Sequence, residues 1–177
     1  LPGAAFAKTP PPPAAPALRF GVISDLHVRL GSASGALARS HDCVTLVHTL
    51  KWFRDQGVDA VMIAGDMADT GLVDEMEAVA HAWFSVFPED RAPDGRKVER
   101  LFVTGNHDWN GYIHGNLAKR LFPDKAVREK HYLAADYAGN WERIWHEPFA
   151  PVWRKCVKGY DFIGAHWTAG VCRGRDE

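Results

Sequence analysis

Residues 19–27 read Arg19-Phe20-Gly21-Val22-Ile23-Ser24-Asp25-Leu26-His27. A short apolar run is cut off by polar residues, the pattern of a buried strand that stops at a polar edge. The pattern returns twice. Ala60-Val61-Met62-Ile63-Ala64 runs into Gly65-Asp66, and Arg100-Leu101-Phe102-Val103-Thr104 runs into Gly105-Asn106-His107-Asp108. Helical patterns lie between these strands. Cys43, Leu46, Val47, Leu50 and Phe53 recur at helical spacing, and Gly57 stops that helix. Met76, Val79, Ala80, Trp83, Phe84 and Phe87 give a second helix one apolar face. Asp74 with Glu77 resembles a capping box at its start, and Pro88 ends it. Strands alternating with helices predict an α/β fold of βαβ units with a largely parallel sheet.

Past Asn110 the pattern weakens. Short helices are expected near Gly115 to Leu121 and Asn140 to Trp145, and Tyr160 to Ala165 reads as a fourth strand. No internal repeat is present.

The 177 residues are 46% hydrophobic and 24% charged, which suits one globular domain with a sizeable core. A formal net charge of -1 gives no global attraction to nucleic acid or an anionic membrane, so no nucleic-acid partner is expected. No apolar run is long enough for a transmembrane helix. Residues 1–17 differ from the rest. Leu1 to Ala7 is apolar and ends Ala5-Phe6-Ala7, like a signal-peptidase site, and a proline-rich spacer runs from Pro10 to Pro16. This segment is read as the end of an export signal plus a linker. That implies a periplasmic or extracellular protein, with an ordinary N-terminal tail of a cytoplasmic protein as the other reading. Cys43, Cys156 and Cys172 have no metal-type spacing; Cys43 is expected to be buried, and pairing of Cys156 with Cys172 stays open.

Each polar motif begins where one of the first three strands ends. Ligands of open α/β sheets bind outside the carboxyl ends of the strands. Asp25, His27, Asp66, Asn106 and His107 should therefore gather on one edge. Carboxylate, imidazole and amide oxygen donors suit Mn, Fe, Zn, Ni or Co. On an extended segment Asp25 and His27 would point the same way and reach one ion. Asp66 has two oxygens with which to bridge two ions, and Asn106 binds through its amide oxygen. Two divalent ions about 3.5–4 Å apart clamp both oxygens of an in-line phosphoryl displacement and acidify a shared water. His107 is then placed to protonate the leaving oxygen or to stabilise transition-state charge. Asp108 is open between orienting a neighbouring group and capping a helix.

Together Asp25-Leu26-His27, Gly65-Asp66 and Gly105-Asn106-His107-Asp108 resemble, in order and spacing, the motifs of the calcineurin-like metallophosphoesterases. The segment Gly65-Asp66-Met67-Ala68-Asp69-Thr70-Gly71 is similar to that family's second motif beyond its Gly-Asp pair. The resemblance implies an α/β/β/α sandwich, of which residues 18–177 supply the first half. It implies hydrolysis of a small phosphoester by a hydroxide bridging two metal ions. Asp25, His27 and Asp66 would hold one ion, Asp66 and Asn106 the other, and His107 occupies the catalytic histidine position. The family completes its site with a lone histidine and a G-H-x-H motif, and no Gly-His pair occurs in this sequence. An N-terminal portion lacking three histidine ligands, with little activity alone, is therefore expected. The rival reading is a non-catalytic phosphate- or partner-binding domain on the same scaffold.

Trp109 and His114, close behind the third motif, are expected to line a substrate pocket. His41, His48 and His81 read as helix-surface positions. His166 follows the fourth strand, but Gly164-Ala165-His166-Trp167 matches none of the family's histidine motifs.

Overall fold

The computed structural model describes residues 17–29, 41–109, 119 and 121–167. Strands β1 (Phe20–Ile23), β2 (Ala60–Ala64) and β3 (Glu99–Val103) form a parallel sheet in the order β1-β2-β3. Phe20 pairs with Ala60, and Ala60 with Glu99. Helix α1 (His41–Asp55) follows β1 and α2 (Val73–Val86) follows β2. These are the expected βαβ units, and the chain is an α/β protein.

Strand alternation sorts the side chains into two sets. Val61, Ile63 and Phe102 join the main core with Leu46, Leu50 and Phe53 of α1 and Met76, Val79 and Trp83 of α2. Gly21 makes room for this packing, since a Cβ there would stand 2.7 Å from the Phe53 ring. The alternate set, Ala60 and Leu101, clusters with Val157, against which Trp153 and Phe162 pack.

The start of α2 differs from the expected capping box. Leu72 precedes the helix and offers no side-chain cap. Glu75, fully buried, reaches back instead of Glu77. Its carboxylate accepts from the N–H of Thr70 (2.9 Å) and of Leu72 (3.2 Å) and from the Thr70 hydroxyl (2.8 Å). Glu77 instead meets Arg143 at 2.5 Å. Asp74 is one residue inside the helix, so the box is shifted by the loop geometry that fixes the first turn.

After β3 come α3 (Asn106–Trp109), α4 (Lys125–Lys130) and α5 (Tyr137–Trp145). Tyr137, Trp141 and Trp145 of α5 enter the main core. Tyr160 to Ala165 is a strand, but not a further parallel member of the first sheet. It is β5 (Tyr160–Ala165), paired antiparallel with β4 (Val152–Val157) in a separate two-stranded sheet. Lys158 and Gly159 join them at φ 49 and 85, a left-handed two-residue turn of the kind that twists a hairpin correctly. Such a turn joins only antiparallel neighbours, whereas a parallel neighbour needs a crossover. The hairpin meets β3 through side chains: Trp153 Nε1 donates to Phe102 O (3.0 Å) and Lys155 Nζ to Arg100 O (2.9 Å).

Residues 1–16 of the expected export signal and linker, His114, Cys172 and most of the expected helix near Gly115 to Leu121 lie outside the described residues. Among the described residues no helix is long and apolar enough to cross a membrane.

Candidate metal centre

The ends of the three parallel strands meet at Asp66. The segment after β1 continues alongside the one after β2: Asp25 N–H donates to Gly65 O (3.1 Å), His27 N–H to Asp66 O (3.0 Å) and Val28 N–H to Met67 O (3.0 Å). The turn after β3 closes from the other side. His107 N–H donates to Asp66 Oδ1 at 2.9 Å. A Cβ at Gly105 would stand 2.1 Å from the same oxygen, so only glycine lets this turn approach.

The Asp25-Leu26-His27 segment is not extended. Asp25, His27 and Asp66 have φ of 54, 44 and 51, all in the left-handed region. The side chains converge through this bent backbone rather than through the two-residue alternation of a strand. His27 Nε2 lies 3.8 Å from Asp25 Oδ1 and 3.9 Å from Asp66 Oδ2. Two donors each about 2.1 Å from one ion stand at most about 4.2 Å apart. The three groups therefore fit one cation. Among the described residues neither carboxylate pairs with a Lys or Arg. Asn106 stands between Gly105 and His107, both of which touch Asp66, while Asp66 presents one oxygen to each neighbouring motif.

Asp108 is wholly buried and does more than cap α3. Its carboxylate accepts from the N–H of Gly105 (2.9 Å), Ala68 (2.8 Å) and Met67 (3.3 Å). It thus ties the third motif to the loop of the second. Burial pushes its carboxyl up to about 7, against the three N–H donors, which favour the charged form.

Asp69 is the residue that pattern reading passed over. It belongs to the segment from Gly65 to Gly71 but carries no ligand-type motif of its own. Its backbone carbonyl lies 2.7 Å from His107 Nδ1. A carbonyl only accepts, so this nitrogen carries the proton and Nε2 of a neutral ring is the basic one. Its carboxylate oxygen Oδ1 lies 3.2 Å from His27 Nδ1. The two imidazoles meet edge to face at 4.4 Å. His27, Asp69 and His107 also form a group of metal-ligand type, sharing His27 with the first.

Trp109 turns inward. Its ring stacks on Tyr137 at 3.7 Å, and its Nε1 donates to the Thr104 hydroxyl at 3.0 Å. His166 is buried against Trp141 and Phe149, each 4.8 Å away, and belongs to neither metal-type group. Burial lowers its pKa to about 4, so the ring is neutral. A cleft of about 260 Å³ opens beside Asp25, between the end of β1 and α1, lined by Leu26, Asp42, Leu46 and Thr49 among others.

The strand ends of this parallel sheet gather carboxylates and imidazoles into two groups of metal-ligand type, which makes the chain an α/β protein with a candidate metal centre. The family model for calcineurin-like phosphoesterases matches residues 18–168, and the chain belongs to that family. No curated protein and no solved structure matches it. The family's members are usually metal-dependent phosphoester hydrolases, and candidate metal-ligand groups are present among the described residues of this chain.

Proposed function

We propose that this protein hydrolyses small phosphoesters at a two-metal site, with Asp25, His27 and Asp66 on one ion and Asp66 and Asn106 on the other. The reading is carried by one observation: Asp66 faces His27 with one oxygen and the Gly105–His107 turn with the other. When bound, two divalent ions supply charge for the phosphoryl oxygens and a hydroxide nucleophile at neutral pH. The residues supply placement. Asp108 fixes the two loops against each other, and the Asp69 carbonyl orients His107 so that Nε2 faces its work. With Nδ1–H committed to the Asp69 carbonyl, His107 would donate a hydrogen bond or proton to the leaving oxygen from Nε2 in its doubly protonated form. The cleft beside Asp25 is the space for the esterified group.

The test is Asp66→Ala in the full-length protein, followed by Zn2+ or Mn2+ binding and by hydrolysis of an aryl phosphomonoester and an aryl phosphodiester. Loss of both binding and hydrolysis is expected, with the circular dichroism spectrum kept. Retained metal affinity in this variant would overturn the reading. Preference between the two esters identifies the substrate class.

A further inference from the structure

We infer that Arg29 and Asp69 form a positioning pair that fixes the imidazole of His27, so that Nδ1 carries the proton and Nε2 is the donor to a metal. The inference rests on the metal-site reading above. Its ground is a chain of contacts that no strand-end motif contains. Arg29 grips Asp69 with two groups: Nε lies 2.8 Å from Oδ2 and Nη2 3.3 Å from Oδ1. Asp69 is nearly buried, with its side chain 11% exposed, while Arg29 is 64% exposed and reaches in from the surface. Oδ1 of Asp69 then faces His27 Nδ1 at 3.2 Å.

His27 Nδ1 is buried and has no well-aligned hydrogen bond to any partner. Asp69 is the carboxylate within reach, and a small rotation of the ring aligns N–H with oxygen. A buried N–H left unpaired costs about 1–3 kcal/mol, so the pairing is favoured. The ring's other nitrogen is the one that faces Asp25 and Asp66. A carboxylate behind a ligating imidazole sets its tautomer and raises its basicity, and removing such a partner weakens metal binding about 10–100-fold. Arg29 is needed because an unpaired Asp69 would crowd a third carboxylate against Asp25 and Asp66. The guanidinium offsets that charge and holds the carboxylate plane through a two-point fork that a lysine cannot copy.

The rival arrangement uses the same atoms differently: His27 Nδ1, Asp69 and His107 would themselves hold an ion. Long-range 1H–15N correlation spectra of the imidazoles separate the two. In metal-free protein His27 should show the Nδ1–H tautomer, and Zn2+ should shift Nε2. A Zn2+ shift on Nδ1 overturns the inference. Asp69→Ala should deplete the Nδ1–H form and lower Zn2+ affinity about tenfold or more. Asp69→Asn, which keeps one acceptor oxygen, should restore part of both. Arg29→Ala changes an exposed residue and so keeps the fold; it should weaken both by a smaller factor. Unchanged tautomer and affinity in either alanine variant sinks the idea. If the unaltered protein binds no Zn2+, the metal-site reading fails, while the tautomer spectra still decide the pairing.

Discussion

At the scale of single residues, the centre concentrates what folding alone would avoid. Asp25, His27 and Asp66 sit in a left-handed backbone region that costs non-glycine residues on the order of 1–3 kcal/mol each. Two carboxylates approach one imidazole there. Buried acids surround the loop after β2, and one of them gives a pH signature away from the metal ligands. Desolvation raises the Glu75 carboxyl from about 4.5 to about 7, though Thr70 and Leu72 donate to it. A raised carboxyl binds its proton more tightly in the folded chain than in the unfolded one. Its contribution is therefore complete below pH 4.5 and is lost as pH rises through 7. Glu75→Gln keeps the shape, and its amide can donate to the Thr70 hydroxyl. Urea unfolding should show stability falling from pH 4.5 to 7 more steeply in the parent than in this variant, by on the order of 2 kcal/mol. Parallel slopes would mean that Glu75 is not the group responsible. The candidate ligands could be picked out at this scale, since Asp and His at strand ends carry chemistry. The left-handed backbone was not, because nothing in Asp25-Leu26-His27 distinguishes a bent segment from an extended one. Nor was Asp69, whose role arises from a loop folding back and not from a spacing.

At the scale of elements, periodicity was readable wherever one apolar face met one core. The face of α2 from Met76 to Trp83 and the whole of β2 follow from it. Strand β4 escaped because Arg154 and Lys155 interrupt its apolar residues, and Lys155 is inward-facing only because it finds Arg100 O and Glu147. The turn at Lys158-Gly159 was the available signal. Turns also carry the site's geometry, and the one between β3 and α3 is the most constrained. Gly105→Ala would place a methyl 2.1 Å from Asp66 Oδ1 and force that carboxylate, or the turn, aside. Isothermal titration with Zn2+ should show affinity reduced at least about tenfold, since ligand geometry sets metal affinity. The main core lies on α1, α2 and the sheet, so the melting temperature should move by only a few degrees. A variant with parental Zn2+ affinity would show that the close approach of the turn does not define the centre.

At the scale of the molecule, the sheet order explains why three distant motifs coincide, and that much follows from βαβ connectivity. The way the hairpin is fastened to β3 does not, because it depends in part on a half-buried ionic network around buried Arg100 that has no periodic trace. Arg100, 6% exposed, donates to Trp145 O at 2.8 Å, lies 3.0 Å from Asp90 and 3.6 Å from Glu147, and stands over the rings of Phe84 and Trp145. Lys155 of β4 shares Glu147 and caps Arg100 O. One guanidinium thus connects β3, the turn after α2, the end of α5 and the hairpin. Breaking a buried ion pair from one side leaves the partners desolvated and uncompensated. Arg100→Leu orphans Trp145 O and removes a countercharge from Asp90 and Glu147. It should cost about 3 kcal/mol in urea unfolding. Arg100→Lys should recover part of that, since one ammonium cannot make the same set of contacts. Arg100 lies at the start of β3 and the ligands beyond its end, so Zn2+ affinity should persist under conditions where the variant stays folded. That is the reverse of the pattern expected for Gly105→Ala, which should weaken metal binding and spare stability. A loss below about 1 kcal/mol for Arg100→Leu would give this network the weight of a surface pair, and the hairpin would then owe its place to Trp153, Phe162 and Val157 and to the Lys155 bond to the Arg100 carbonyl.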